Sequence, residues 1–501
     1  MNDLSTTPPH GAEPETPAGE IESLIVQAVE AAPLWAAHTP QARAAVLVAV
    51  ADALEANSEH LVAIADRETG LGVARLSGEV KRTAGQLRGY GAYAASGAPF
   101  GVTIDHADPA AAPPRPELRR HQVPLGPVEV FAGGNFPFAF SVAGTDTAAA
   151  LAAGCPVLLK AHPGHPRTSA TTAALVREAL AAAGAPLGTF ALFTGREAGV
   201  AVLRDPRVRA AAFTGSVRGG RALFDIAAAR PVPIPFFGEL GSVNPVVVTP
   251  AALAERRAEI AAGFAGSFTL GAGQFCTKPG ILLLPRDPLA VEEIAAQVRP
   301  GAAAAMLSAP IAEGYRRRLD EVTRATGTRT LVEGTLTTDG DGRPQASPTL
   351  FSVASAEEFL READNLLEEC FGPSALLVQY DPPDEAARLL DRLEGSLTVT
   401  FHTGEGDGET LAPLVHLAQQ KAGRVLFNGW PTGVAVTRAQ QHGGPYPAAT
   451  SPHTSVGAYA VERFLRPVAY QDAPPELLPA ALREDNPLQL VRTVDGKTEG
   501  A

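Results

Sequence analysis

The chain has 501 residues, 45% hydrophobic and 19% charged, with a formal net charge of −13. That length holds roughly three domains of ~150 residues and buries a large core without covalent staples. The acidic balance, with no long Lys/Arg run, argues against a nucleic-acid or anionic-membrane partner, so any anionic ligand needs a local site. Three cysteines, Cys155, Cys276 and Cys370, make no disulfide framework and suit a reducing cytoplasm. Residues 1–20 have neither a basic nor an apolar signal region and are expected to form a disordered leader. No run of about 18 uncharged apolar residues occurs, so no membrane span is expected.

Helical spacing begins at Ile21, where Ile21, Leu24, Ile25, Ala28 and Val29 share a face. Further helices are expected over Ala44 to Leu54, Leu61 to Arg67 and Val80 to Tyr93. Residues 101–125 are rich in Pro and Ala and then extended through Arg119 to Pro124, as an edge strand or an arm. Strands and helices alternate from 127 to 239. Strands are expected at Val128 to Ala132, Cys155 to Lys160, Phe190 to Phe193, Val208 to Phe213 and Pro233 to Phe237. Helices are expected at Ala139 to Ala153, Thr168 to Ala183 and Ser216 to Ala229. Repeated βαβ units predict a parallel sheet with helices on both faces and ligands beyond its carboxyl edge. Asn135, Lys160, Gly195, Ser216 and Glu239 all fall at or just after a strand end.

A second series follows Val246 to Val248. A helix over Ala251 to Leu270 leads to Gly273-Gln274-Phe275-Cys276-Thr277-Lys278-Pro279-Gly280, then a strand at Ile281 to Leu284. Later strands are expected at Ala375 to Gln379, Leu397 to Phe401 and Val425 to Phe427. Glycines flanking Cys276 let the backbone bend, and Pro279 stops a helix, so the cysteine is either an exposed thiol on a bend or a buried structural residue. Cys155, in an apolar strand, reads as core.

Six motifs stand in order: Gly133-Gly134-Asn135-Phe136-Pro137, Leu159-Lys160, Phe213-Thr214-Gly215-Ser216, Gly238-Glu239-Leu240-Gly241, Gly273-Gln274-Phe275-Cys276 and Glu369-Cys370-Phe371-Gly372-Pro373. Together with Glu68-Thr69-Gly70, they resemble the aldehyde dehydrogenase superfamily. The tail segments Gln441 to Pro447 and Glu462 to Pro467 resemble its branch oxidising α-ketoglutaric semialdehyde (2,5-dioxopentanoate). A related branch, oxidising long-chain aldehydes with NADP, is the alternative.

The resemblance implies an α/β fold: a Rossmann-like dinucleotide-binding domain (21–100 and 126–247), a catalytic domain (248–440) and a small β arm for oligomerisation (101–125 and 441–501). It implies Cys276 as the nucleophile. Asn135 and the Cys276 N–H become oxyanion donors, each worth about 3 kcal/mol, and Glu239 the base that activates water. His442 either tunes Cys276 or Glu239 or is an ordinary surface histidine. Cys370 reads as a spectator.

In this family the pyrophosphate sits at Gly215 and Ser216, on a helix N-terminus. Glu369 and Phe371 resemble the pair gripping the nicotinamide-side ribose, and Lys160 stands where the adenine ribose is held. NAD-preferring members often carry a glutamate three residues after this lysine; here Pro163 stands instead. NADP is therefore expected, or both nucleotides, with Arg196 a further phosphate partner. No metal is expected. A small aldehyde is the expected substrate, and a homodimer or homotetramer the expected assembly. Lys278 either lowers the Cys276 pKa, meets an acidic substrate or is solvated. Lys278 and Arg438 are candidate anchors for a substrate carboxylate.

Overall fold

The computed structural model describes residues 14–299, 301–381 and 383–500. Most of the expected leader lies outside them. Helix begins at Ala18, three residues before the first apolar stripe position.

The first sheet has five parallel strands, in the order Phe190–Phe193, Val157–Lys160, Val128–Phe131, Ala210–Thr214, Phe236–Glu239. The chain enters at the central strand, steps twice to one side, then crosses to the other. That reversal opens a crevice at the carboxyl edge between Val128–Phe131 and Ala210–Thr214, where a doubly wound sheet takes its ligand. Helices Pro40–Ala56 and Val73–Ala95 pack through Val50, Leu54, Leu87 and Tyr90 into the core holding Val128, Val130, Leu159 and Ala212. Cys155 is buried there, its thiol donating to Phe464 O, as its apolar setting implied.

The helix expected over 139–153 starts only at Thr145. The buried carboxylate of Glu79 accepts from the N–H groups of Phe138 and Ala139. Gly133 N donates to Phe140 O and Thr145 N to Ala139 O. These bonds hold residues 137–143 as turns beneath the site.

The second sheet runs Thr328–Val332, Thr349–Val353, Ser374–Tyr380, Ile281–Pro285, Val246–Val248, Ser396–His402, Ala422–Phe427. All pairs are parallel except the first. The fully buried runs Val246–Val248 and Ser396–His402 are what a sheet covered on both faces demands. Between residues 286 and 373, where only turns are apparent in the sequence, lie the helices Pro288–Val298 and Ala309–Arg324 and the strands Thr328–Val332 and Thr349–Val353.

The arm is a separate five-stranded sheet. Leu118–Pro124 pairs antiparallel with both Leu465–Gln471 and Val102–Asp105, and Arg492–Val494 and Lys497–Glu499 extend it.

Candidate active site

A groove of about 1060 Å³ opens at the carboxyl edge of the first sheet. It is lined by Asn135, Lys160, Arg196, Gly215, Ser216, Glu239, Cys276, Glu369 and Phe371. Residues from seven chain segments converge because the sheet's strand ends, the cysteine loop and the Glu369–Phe371 segment meet there.

Glu239 ends the strand Phe236–Glu239 and is 4% exposed, so it is no solvated loop carboxylate. Its Oε1 lies 2.8 Å from His442 Nε2, and Ser455 Oγ donates to its Oε2. Cys276 Sγ lies 3.6 Å from the same His442 nitrogen. Sulfur, ring nitrogen and a Glu239 oxygen lie within 4.8 Å of one another. That spacing also suits a metal ion; a nucleophile, a base and the base's partner account for it equally. His442 is 1% exposed, which removes the surface reading.

The tail is held here by backbone bonds. Leu240 N donates to Ala448 O, Thr450 N to Gly238 O, and Ser455 N to His442 O. These carry His442 and Ser455 to the end of the Glu239 strand. Burial pushes the Glu239 carboxyl up, but the His442 charge and hydrogen bonds from His442, Ser455 and Cys276 outweigh it and hold the group below its ordinary value. Burial pushes the Cys276 thiol well above that of a free cysteine, and the Glu239 charge and hydrogen bond and the Glu369 charge push the same way; Arg82 pulls it down. The resting sulfur is therefore a thiol.

The cysteine bend is pinned, not loose. Asn244 Nδ2 donates to Cys276 O at 2.8 Å and to Lys278 O at 3.0 Å. The Gln274 side chain joins Ala305 O and Leu307 N. Asn135 Nδ2 donates to Gln274 O at 3.1 Å, tying the oxyanion candidate to the loop. Gly273 has φ +63, and a Cβ there would sit 2.1 Å from Gly372 O, so the loop abuts the Glu369–Pro373 motif backbone to backbone.

Lys278 is neither a thiol neighbour nor an anchor, and it is not solvated. It is 2% exposed, and its Nζ donates to the carbonyls of Cys370, Gly372 and Ser374. It locks the segment carrying Glu369 and Phe371. Burial pushes Glu369 up to about 7, against the Lys278 charge and a bond from the Ser242 backbone. Arg438 is exposed, with its guanidinium over the Tyr93 ring, away from the groove. Cys370 faces a separate small pocket with Ser374 and Leu376.

Asn244 and Ser455 do not stand out in the sequence, and Gln274 does so only as part of the cysteine motif, without its role in pinning the loop. Asn244 carried a faint signal, an Asn-Pro pair just beyond the Glu239 motif; its φ of +46 is a conformation Asn tolerates.

At the far end of the groove, Glu15 accepts from the N–H groups of Glu197 (3.1 Å) and Ala198 (3.0 Å) at the start of the helix Arg196–Arg204. The Lys160 charge is among those acting on it.

A thiol, a buried carboxylate and a groove at the carboxyl edge of a doubly wound sheet meet in one crevice, where such a sheet takes a nucleotide ligand. The chain belongs to the aldehyde dehydrogenase family, whose sequence profile matches residues 6–468. It is 47% identical to alpha-ketoglutaric semialdehyde dehydrogenase 2 of Azospirillum brasilense, covering 96% of this chain and 92% of that one. It is 41% identical to the alpha-ketoglutaric semialdehyde dehydrogenase of Acinetobacter baylyi, covering 95% and 91%. Its fold matches the crystal structure of an NAD-dependent aldehyde dehydrogenase from Sinorhizobium meliloti with a TM-score of 0.77 at 25% identity, covering 92% and 89%.

The protein is thus an aldehyde-oxidising enzyme using a nicotinamide dinucleotide, and the groove fits that cofactor. Ser216 caps the helix Val217–Ala228, accepting from Gly219 N at 3.2 Å, and the first turn of that helix lines the groove where a pyrophosphate is attracted. Among the described residues, no helix is long and apolar enough to cross a membrane.

Proposed function

We propose that the enzyme oxidises α-ketoglutaric semialdehyde to α-ketoglutarate. The substrate is supported by the two relatives named for it, and the chemistry by the contact of the groove residues Glu239 and Cys276 with one nitrogen of His442. The thiol proton passes to solvent water in the groove, and the freed thiolate attacks the aldehyde carbon. The second Asn135 amide hydrogen, with the Cys276 N–H, receives the developing alkoxide. When bound, the nicotinamide accepts the hydride. A thioester on Cys276 remains; Glu239 takes a proton from water, which attacks the thioester, and the acid leaves as the thiolate re-forms. His442 acts on Glu239 as its hydrogen-bond partner.

Both relatives named for this semialdehyde align over nearly all of the chain, and the tail motifs agree with them. Lys160, Arg196, Gly215, Ser216, Glu369 and Phe371 would hold the dinucleotide. Pro163 and Arg196 favour NADP, while Glu15 beside Lys160 favours NAD, so both are used. The free cysteines suit the cytoplasm, and the arm strands, with no core of their own, suit a dimer or tetramer.

An aldehyde panel assayed with each nucleotide tests the proposal. The semialdehyde is expected to exceed decanal in kcat/KM; the reverse order would make this a long-chain aldehyde dehydrogenase. Cys276→Ser is expected to lose at least about 10³-fold of the rate.

A further inference from the structure

The semialdehyde ends in a carboxylate, and neither of the anchors expected from the sequence meets the site. An aromatic cluster adjoins the sulfur on a second side. Phe136 and Phe140 pack with Val434, Val436 and Val456. Phe136 meets Phe275 edge-on at 5.3 Å, and the Phe140 ring lies 6.3 Å from that of His442. None of these side chains lines the nucleotide groove.

Three guanidinium groups stand around these rings. Arg75 lies 4.8 Å from the centre of Phe275 and 5.1 Å from that of Phe136, and its Nη2 donates to Asn135 O at 2.7 Å. Arg424 spends both terminal nitrogens on the carbonyls of Gly433 and Pro431. The charges of Arg424 and Cys276 act on each other. Arg82 lies 6.0 Å from the centre of Phe140, and its charge acts on Cys276. Among the described residues Arg82 has no hydrogen-bond or ion-pair partner, and its Nε is buried with none.

The acid acted on by Arg75 and Arg82 is Glu79; Glu239, the ionised one nearby, is taken up by His442 and Ser455. Glu79, one turn before Arg82, spends Oε1 on two backbone N–H groups, and burial pushes its carboxyl up to about 7. A substantial fraction is therefore neutral near pH 7. A half-buried, uncommitted guanidinium beside aromatic walls and a nucleophile is costly unless an anion arrives to meet it. Arg75 gives Nη2 to Asn135 O and leaves Nε and Nη1 buried without a partner, and Arg424 gives both terminal nitrogens to carbonyls; of the three, Arg82 alone has none of its nitrogens bonded, so its whole planar fork is open to a carboxylate.

We propose that Arg82 anchors the substrate carboxylate, with Arg424 adding positive field, so that the enzyme selects short ω-oxo acids over uncharged aldehydes of the same length. The assignment rests on the semialdehyde being the substrate and adds the residue that recognises it.

The test compares α-ketoglutaric semialdehyde with pentanal in the wild type, Arg82→Gln and Arg82→Lys. Arg82→Gln is expected to raise KM for the semialdehyde about 30- to 100-fold relative to KM for pentanal at an unchanged melting temperature, while loss of the charge that lowers the Cys276 pKa slows both substrates alike. Arg82→Lys is expected to keep part of the preference, since it retains the charge but not the fork. On the wild type, glutarate is expected to compete with pentanal, and less well as salt rises.

If the wild type prefers the semialdehyde and Arg82→Gln keeps that preference, the anchor is elsewhere. If both substrates lose equally at unchanged melting temperature, Arg82 acts on the thiol and not on the substrate. A wild type that favours no ω-oxo acid over pentanal, and that glutarate does not inhibit, overturns the substrate and the anchor together.

Discussion

Glu239 and Cys276 oppose one another across a single imidazole nitrogen: His442 Nε2 is 2.8 Å from the carboxylate and 3.6 Å from the sulfur. The carboxylate that is to activate water therefore also stabilises the proton on the thiol.

Glu239→Gln separates these effects. Removing the negative charge lowers the Cys276 pKa, so iodoacetamide inactivation near pH 7 is expected to speed up several-fold. Steady-state turnover is expected to fall about 10²- to 10³-fold for want of the base. Slower alkylation would instead make Glu239 the group that deprotonates the thiol.

His442→Ala removes the charge and hydrogen bond that hold the Glu239 carboxyl down, and burial then dominates. The sign follows: the folded pKa of Glu239 rises, the base is protonated near neutrality, and activity returns as pH increases. The acid limb of the kcat profile is expected to move to higher pH, with turnover at pH 7 down about 10- to 100-fold. An unmoved limb would assign His442 to packing.

Lys278→Met leaves three carbonyls without their buried donor. A loss of about 3 kcal/mol is expected, seen as a lower melting temperature. Because the released segment carries Glu369 and Phe371, KM for the nucleotide is expected to rise several-fold while KM for the aldehyde holds. Fluorescence titration with NADH and NADPH reads the same change without turnover.

Glu15→Gln keeps an acceptor for the N–H groups of Glu197 and Ala198 but removes a charge near Lys160. The ratio of kcat/KM for NADP to that for NAD is expected to rise about fivefold. An unchanged ratio would place the 2′-phosphate out of reach of this carboxylate.

Much of this was legible because buried parallel strands must be apolar runs, and their carboxyl ends must carry the ligand groups. Lys160, Ser216 and Glu239 stood out on that ground alone, and the motif order supplied Cys276, Glu369 and Phe371. What stayed hidden depends on partners distant in sequence. Lys278 looks solvated until three carbonyls surround it. The helix expected from Ala139 starts six residues late because Glu79, sixty positions earlier, takes two of its N–H groups. The short strands between residues 286 and 373 have no alternation long enough to register.

The docking of the tail onto the Glu239 strand sets an order of assembly. The thiol is synthesised 166 residues before the imidazole it faces, and the carboxylate 203 residues before. On the ribosome, a chain halted near residue 440 would display its nucleophile and its nucleotide groove but lack the histidine and serine that ready Glu239. Full catalytic competence therefore comes late in translation, after both large sheets have emerged.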